Sequence, residues 1–412
     1  MTKTEIMAPA GSFAALQTAI KAGANSVYFG VEQLNMRARA TNNFKVTDLP
    51  EIIRICKEAG IKSYLTVNTI LYDHDIALMK KICDTAKASG VTAIIACDIA
   101  AMQYAHSIGL EIHISTQQNV SNIEAVKFFA HFADVVVLAR ELTLKQIKSI
   151  VDSIKRNDVR GPKGELVQIE IFAHGALCVA ISGKCHMSLA TQNASANRGA
   201  CTQNCRRSYR VIDEETGEEL VLDNKYVMSP KDLCTIKFVD QLIGAGVSVL
   251  KLEGRGRSVD YVYTVTKCYR EAADAVEAGT FTPEKADAWT AELETVYNRG
   301  FWHGGYYLGK ELGEWSGEYG SHTQTQNVCI GRVTNYFAQI GVGEFLMESG
   351  ELLVGEEILV VGDTTGMVKC KVERMMVDDD GVEIAKKGDA VTFVVPEKIR
   401  VGDKLFVIRN RV

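Results

Sequence analysis

The 412-residue chain has no apolar run long enough to cross a bilayer. Its longest candidates, "AIIAC" and "VVVLA", are strand-sized, whereas a spanning helix takes about 20 apolar residues. The opening "MTKTEIMAPAGSF" lacks the basic stretch and continuous apolar segment of a secretion signal. Both absences point to a cytoplasmic protein without a membrane partner, where cysteines are not held as structural disulfides. An excess of basic charge is missing too: the net charge of −5 argues against an overall basic nucleic-acid binder and leaves room only for local basic patches. Familiar catalytic signatures are equally scarce. The chain has no H-E-x-x-H, no G-x-S-x-G and no G-x-G-x-x-G after the first strand, and no flavin or nicotinamide motif is evident. Tight C-x-x-C pairs are absent, and "CTQNCRRS" supplies only the first pair of a C-x-x-x-C-x-x-C run.

What is present is an ordinary globular composition, 47% hydrophobic and 24% charged, with a strong alternation of elements. The strand-like runs are "EIMAPA", "SVYFG", "SYLTVN", "AIIACD", "EIHIST", "VVVLAR", "IEIFAHG" and "VLKLEG". Between them lie segments such as "DLPEIIRICKEAG", with apolar residues three and four apart and a terminal Gly. Eight strands separated by crossovers predict an α/β fold, a TIM-like (β/α)8 barrel over residues 1–320. A cysteine-rich insertion at about residues 175–235 interrupts the repeat after the seventh strand, and an insertion of that length is usually functional. From 325 to 412 short strands punctuated by Gly and Asp predict a small antiparallel β-barrel domain for recognition or scaffolding.

Six of the eleven cysteines, Cys56, Cys83, Cys97, Cys268, Cys329 and Cys370, lie in apolar patterns and read as packing. Cys178, Cys185, Cys201 and Cys205 sit instead among Gly, Ser, Asn, Thr and Arg, in "CVAISGKCHMSLATQNASANRGACTQNC", and "SPKDLC" adds Cys234. A thiol nucleophile needs one thiolate and a base, for which His174 and His186 are available. Zinc is a second possibility, and an iron–sulfur cluster, which takes four thiolates from converging loops, is a third. Spacing alone leaves these open.

Barrel active sites form at the C-terminal ends of strands, and alternation selects the residues that share a face. His113, Ser115 and Gln117 share one face of the fifth strand, Glu170 goes with His174 on the seventh, and Lys251, Glu253 and Arg255 fall together on the eighth. Asn68, Asp98 and Arg140 end three others. The alternatives are a polar interior closed by pairs such as Lys251–Glu253 or Arg140–Glu170, or a small-molecule pocket in which Glu170, His174, Lys251, Glu253 and His113 are catalytic. Arg37, Arg39, Arg255 and Arg257, with Asn68, Gln117 and Arg140, would bind carboxylates or phosphates. In "CRRSYR" the residues Arg206, Arg207, Tyr209 and Arg210 interleave charge with an aromatic ring, a stacking surface for a single-stranded RNA loop, or a solvated loop.

The motifs "EIFAHGALCVAISGKCHMS", "NRGACTQNCRRSY", "YVMSPKDLC" and "LKLEGRGRS", with "APAGSFAALQTAIKAGANSVYFG", "LNMRARATNNF" and "NRGFWHGGYYLG", closely resemble the collagenase-like peptidase family U32 over nearly the whole chain. The resemblance implies an α/β barrel. Its closest branch acts in tRNA hydroxylation, forming 5-hydroxyuridine at the wobble position with prephenate linked as the hydroxyl source. A related branch carries a 4Fe-4S cluster, and by motif its ligands here would be Cys178, Cys185, Cys201 and Cys234, with Cys205 the alternative to Cys201. The expected function is therefore hydroxylation of a tRNA anticodon loop, with a small dicarboxylate such as prephenate as second partner. A collagenase-like peptidase with a thiol or metal (zinc) centre and a non-catalytic RNA-binding scaffold are the other two readings.

Overall fold

The protein is described by a computed structural model that covers residues 3–39, 43–210, 212–218, 228–309, 314–317 and 320–411. Ten strands form the first sheet: β1 Glu5–Pro9, β2 Ser26–Phe29, β3 Lys62–Val67, β4 Ala93–Ala96, β5 Glu111–Ile114, β6 Val135–Val137, β7 Gln168–Gly175, β8 Asp232–Cys234, β9 Val249–Leu252 and β10 Phe301–His303. Strands β1 to β7 are successive neighbours, and β9 pairs in parallel with both β1 and β7. That double pairing closes an eight-stranded parallel barrel, the architecture expected from the eight apolar runs. Two strands were not foreseen. β8 lies antiparallel on the end of β7, and β10 lies parallel on β8.

The barrel strands are nearly continuously buried because helices cover their outer faces. The helix Leu144–Arg156 illustrates how sequence positions such a cover. Thr143 accepts a hydrogen bond from Gln146 N and the Gln146 side chain accepts one from Thr143 N, a reciprocal cap. Ile147, Ile150, Val151 and Ile154 then fall on one buried stripe, worth about 1.5–3 kcal/mol each. Lys155 and Arg156 in the last turn complement the helix dipole. Among the described residues no helix is long and apolar enough to cross a membrane.

Residues beyond Thr325 form an eight-stranded antiparallel sheet and a separate two-stranded one around their own core, in which Phe345 and Phe393 stack at 4.3 Å. This sheet rests on the first helix of the barrel, Phe13–Lys21. Gly366 has φ +69° and lies so close that a β-carbon there would stand 3.0 Å from Gln17 Cβ. Lys21 reaches across to Glu397 at 2.5 Å. The described part of the cysteine-rich insertion instead lies over the C-terminal ends of the barrel strands. Gly199 accepts from Arg39 N at 3.2 Å, and Asn197 accepts from Ile70 N at 3.1 Å.

Candidate functional site

Between the insertion and the strand ends lies a cavity of about 130 Å³, lined by Arg37, Asn68, Ser115, Gln117, Arg140, Lys251, Glu253 and Arg255 among others. Alternation along β9 and its extension aims Lys251, Glu253 and Arg255 inward together, as expected. Asn68, Gln117, Arg140 and Arg37 also reach the cavity from four other strand ends and loops.

Lys251 is the floor of the site. Its Nζ lies 2.7 Å from Glu170 Oε1 and sits over the rings of Tyr28 at 4.7 Å and Phe172 at 5.5 Å. Glu170 Oε2 meets His113 Nδ1 at 3.2 Å, and His113 packs against Tyr64, whose hydroxyl donates to Glu5 at 2.7 Å. Burial alone would push the Glu170 carboxyl up, but Lys251 and the His113 ring outweigh it and hold it below the usual carboxylate range. Burial lowers the Lys251 ammonium, an effect that Glu170 offsets only in part while Arg140 and Arg255 add to it. Glu170 and His113 thus stand behind the cavity wall and support Lys251.

A second charged pair forms the wall. Arg37 Nη2 lies 3.0 Å from Glu253 Oε1. Burial opposes ionisation of Glu253, yet Arg37, with Arg257 and Arg140, brings its carboxyl down to about 2. Arg255 donates to Thr66 Oγ1 at 3.0 Å and Asn35 Oδ1 at 2.8 Å, both neutral, and burial lowers its guanidinium to about 10. Gly30 gives the guanidinium its room, since a β-carbon there would meet Arg255 Nη1 at 2.2 Å and displace it. Arg140 donates to the Ala176 carbonyl at 3.1 Å and stacks on Phe172 at 3.9 Å. With Lys251 matched by Glu170 and Arg37 by Glu253, Arg140 and Arg255 have no carboxylate within ion-pair distance among the described residues. The cavity is cationic by two charges.

The cysteines meet this cavity from its outer side. Cys178, Cys185 and Cys201 line it, and Cys205 interacts electrostatically with all three. Burial pushes the Cys205 thiol up, while Arg206 opposes that rise. Cys178 and Cys201 also face the Arg37 guanidinium. No three His, Cys, Asp or Glu side chains among the described residues are spaced to hold a metal ion as they stand. The donor set is nonetheless the right one for a thiolate-bound cluster: four free thiols on converging loops, with Arg37 and Arg206 as countercharges.

Cys205 stands with the three cavity cysteines, whereas Cys234, expected beside them, lies apart. Cys234 is fully buried on β8, its thiol facing Tyr269, and burial raises it to about 12. It does not line the cavity. His174 also departs from its expected place. The β7–β9 register shifts between Phe172 and His174, so His174 pairs with outward-facing Leu252 and packs among Tyr261, Tyr269 and Phe301. The bulge parts it from Glu170. The pairs Lys251–Glu253 and Arg140–Glu170 are replaced by Lys251–Glu170 and Arg37–Glu253. Asp98 caps the following helix at Ala100 N. Arg39 is exposed outside the cavity, and Arg257 stacks on Tyr297 at 3.6 Å, also outside it. Arg206 is a brace: it donates to the carbonyls of Leu177 at 2.5 Å and Pro230 at 3.0 Å, so it is not a free RNA contact. Tyr209 donates to the Asn204 carbonyl at 2.7 Å, whereas Arg207 is exposed.

Tyr28, Thr66 and Phe172 line the cavity and were not singled out from sequence, although strand alternation identifies them. Ile181, Ser182 and Gly183 carried no such signal, because they lie in irregular chain.

A family model described as peptidase family U32 matches residues 11–317. A protein named collagenase from Porphyromonas gingivalis is 54% identical over 99% of this chain and 98% of its own. The tRNA hydroxylation protein P1 of Bacillus subtilis is 32% identical over 72% of this chain and 69% of its own. A 23S rRNA 5-hydroxycytidine synthase of Escherichia coli is 34% identical over 66% of this chain, a match that spans 40% of that enzyme.

Proposed function

The chain belongs to peptidase family U32, and from that premise we propose that it is an iron–sulfur enzyme of tRNA hydroxylation, forming 5-hydroxyuridine at the wobble position. The observation that carries this reading is a cavity cationic by two charges, walled on one side by the cysteine cluster. Two relatives named for RNA hydroxylation support it.

Arg140 and Arg255 would bind a small dicarboxylate such as prephenate, each as a fork matched to a carboxylate. Arg37, already fixed by Glu253, shapes the site between this anion and the thiols. Lys251 is the one ammonium at the cavity floor, and Glu170, hydrogen-bonded to Nζ and held ionised, orients it and sustains its charge. Tyr28 and Phe172 flank that ammonium and keep water from it. Cys178, Cys185, Cys201 and Cys205 would hold the 4Fe-4S cluster. When bound, such a cluster supplies one-electron transfer. The exposed Arg207 would meet phosphates of the anticodon loop.

Iron and sulfide analysis of anaerobically prepared protein tests the cofactor. The substrate is tested by 5-hydroxyuridine in tRNA from cells whose only copy carries Cys178→Ala or Arg255→Met. Unchanged modification in both would sink the proposal.

The collagenase name of the 54% identical relative favours a second reading, proteolysis. It lacks support in the site: no histidine lines the cavity to serve a thiol nucleophile among the described residues. Cleavage of native collagen by iron-free protein would establish it instead.

A further inference from the structure

Three aromatic side chains are largely exposed among the described large hydrophobics: Tyr72, Phe128 and Phe337. Phe128 lies in the last turn of the helix Ile123–Phe129, and Phe337 lies on the C-terminal sheet. Tyr72 alone sits on a loop that follows a barrel strand, at the face where the cavity opens. It is 53% exposed, and it lies four residue steps along the chain from the cavity residue Asn68, a reach of at most about 14 Å.

Its surroundings fix the ring in place. Leu71 N donates to Asp98 Oδ2 at 2.9 Å, and Tyr72 N donates to Asp75 Oδ2 at 2.8 Å, so the backbone is pinned on both sides. The Arg198 guanidinium covers the ring with its carbon 3.9 Å from the centroid. Arg198 is itself held by an ion pair with Asp75 and by donation to the Ile70 carbonyl at 3.0 Å. It belongs to the cysteine-bearing segment between Ala196 and Cys201, both of which line the cavity. One side of the Tyr72 ring is thus backed by a neutralised guanidinium plane, the His74 ring meets it in a T-shaped contact at 5.7 Å, and the remaining exposure is an aromatic surface beside the cavity mouth. A ring that costs no ordering on binding is suited to planar partners.

We propose that Tyr72, backed by Arg198, is a stacking shelf for a nucleobase that neighbours the nucleotide presented to the cavity. The proposal rests on the RNA reading above and adds a contact to it. Stacking needs a π-face and no particular base edge, so the shelf grips RNA without selecting sequence.

The test is fluorescence anisotropy of a labelled anticodon stem-loop RNA with the full chain at fixed salt, alongside circular dichroism and thermal unfolding. Tyr72→Ala and Tyr72→Leu are expected to weaken binding by roughly 5- to 150-fold, and Tyr72→Trp to retain it, with unfolding midpoints unchanged. The leucine keeps apolar bulk and removes the π-face, so it guards against a merely structural loss. Parental affinity in Tyr72→Ala, or in Tyr72→Leu, overturns the shelf and leaves the RNA reading standing. Failure of the parent chain to bind the RNA overturns that reading and the shelf with it. Binding of a collagen peptide that depends on Tyr72, without RNA binding, overturns both in favour of proteolysis.

Discussion

Lys251 Nζ and Glu170 Oε1 stand 2.7 Å apart at the floor of the cavity, with the carboxylate wholly buried and the ammonium almost so. Only the lysine faces the cavity; the glutamate faces back into the barrel and shares its second oxygen with His113. One residue of the pair is chemically accessible and the other sets its charge.

Because each partner compensates a buried charge, single and double substitutions should differ sharply. Lys251→Met should cost about 3–5 kcal/mol by leaving Glu170 uncompensated. The double variant Lys251→Met/Glu170→Leu should recover a substantial part of that loss. Urea unfolding of the four proteins in a mutant cycle measures the coupling, and additive losses would show that the pair is not interacting.

Anion affinity should depend on the two guanidiniums that have no carboxylate partner. Arg255→Met and Arg140→Met should each weaken prephenate binding by about 1.5–3 kcal/mol, the range of a charge-assisted hydrogen bond. Arg257→Met, outside the cavity and stacked on Tyr297, should leave it within about 0.5 kcal/mol of the parent. Isothermal titration calorimetry gives the three constants directly. Equal losses in all three variants would contradict the charge assignment.

The cysteines divide by position. Cys205→Ala should lower bound iron strongly, since Cys205 stands with Cys178, Cys185 and Cys201. Cys234→Ala should keep the iron and lose about 1 kcal/mol or more of stability, because it leaves a small void against Tyr269. Iron retained in the first variant and lost in the second would restore Cys234 as a ligand.

His174 should make stability fall in mild acid. Burial holds its ring neutral, its pKa lowered from 6.5 to about 3, so the unfolded chain takes a proton at higher pH than the native one does. Its contribution is complete above 6.5 and is lost as pH falls through that window toward 3, at about 1.4 kcal/mol per pH unit. His174→Phe should therefore show a stability difference between pH 7 and pH 5 smaller by about 2 kcal/mol. Denaturant titrations at the two values decide it, and an unchanged difference would place the titration elsewhere.

Much of the site was legible because strand alternation is local. "LKLEGR" set Lys251, Glu253 and Arg255 on one face, and the cavity has all three. The same rule failed for His174 because a bulge after Phe172 reverses the face, and no residue type in "IFAHG" announces a bulge. Arg206 and Arg207 are adjacent and chemically identical, yet one braces two carbonyls and the other is exposed. Nothing local distinguishes them.

The sequence by itself determined the eight barrel strands, their covering helices and the polar character of the strand ends, because periodicity and capping act within a few residues. Only the tertiary structure decided which charges pair, that Cys205 rather than Cys234 joins the other three thiols, and that Arg198 backs Tyr72. Those contacts join segments far apart in the chain, and they depend on the path of the insertion over the barrel mouth, which no local preference encodes.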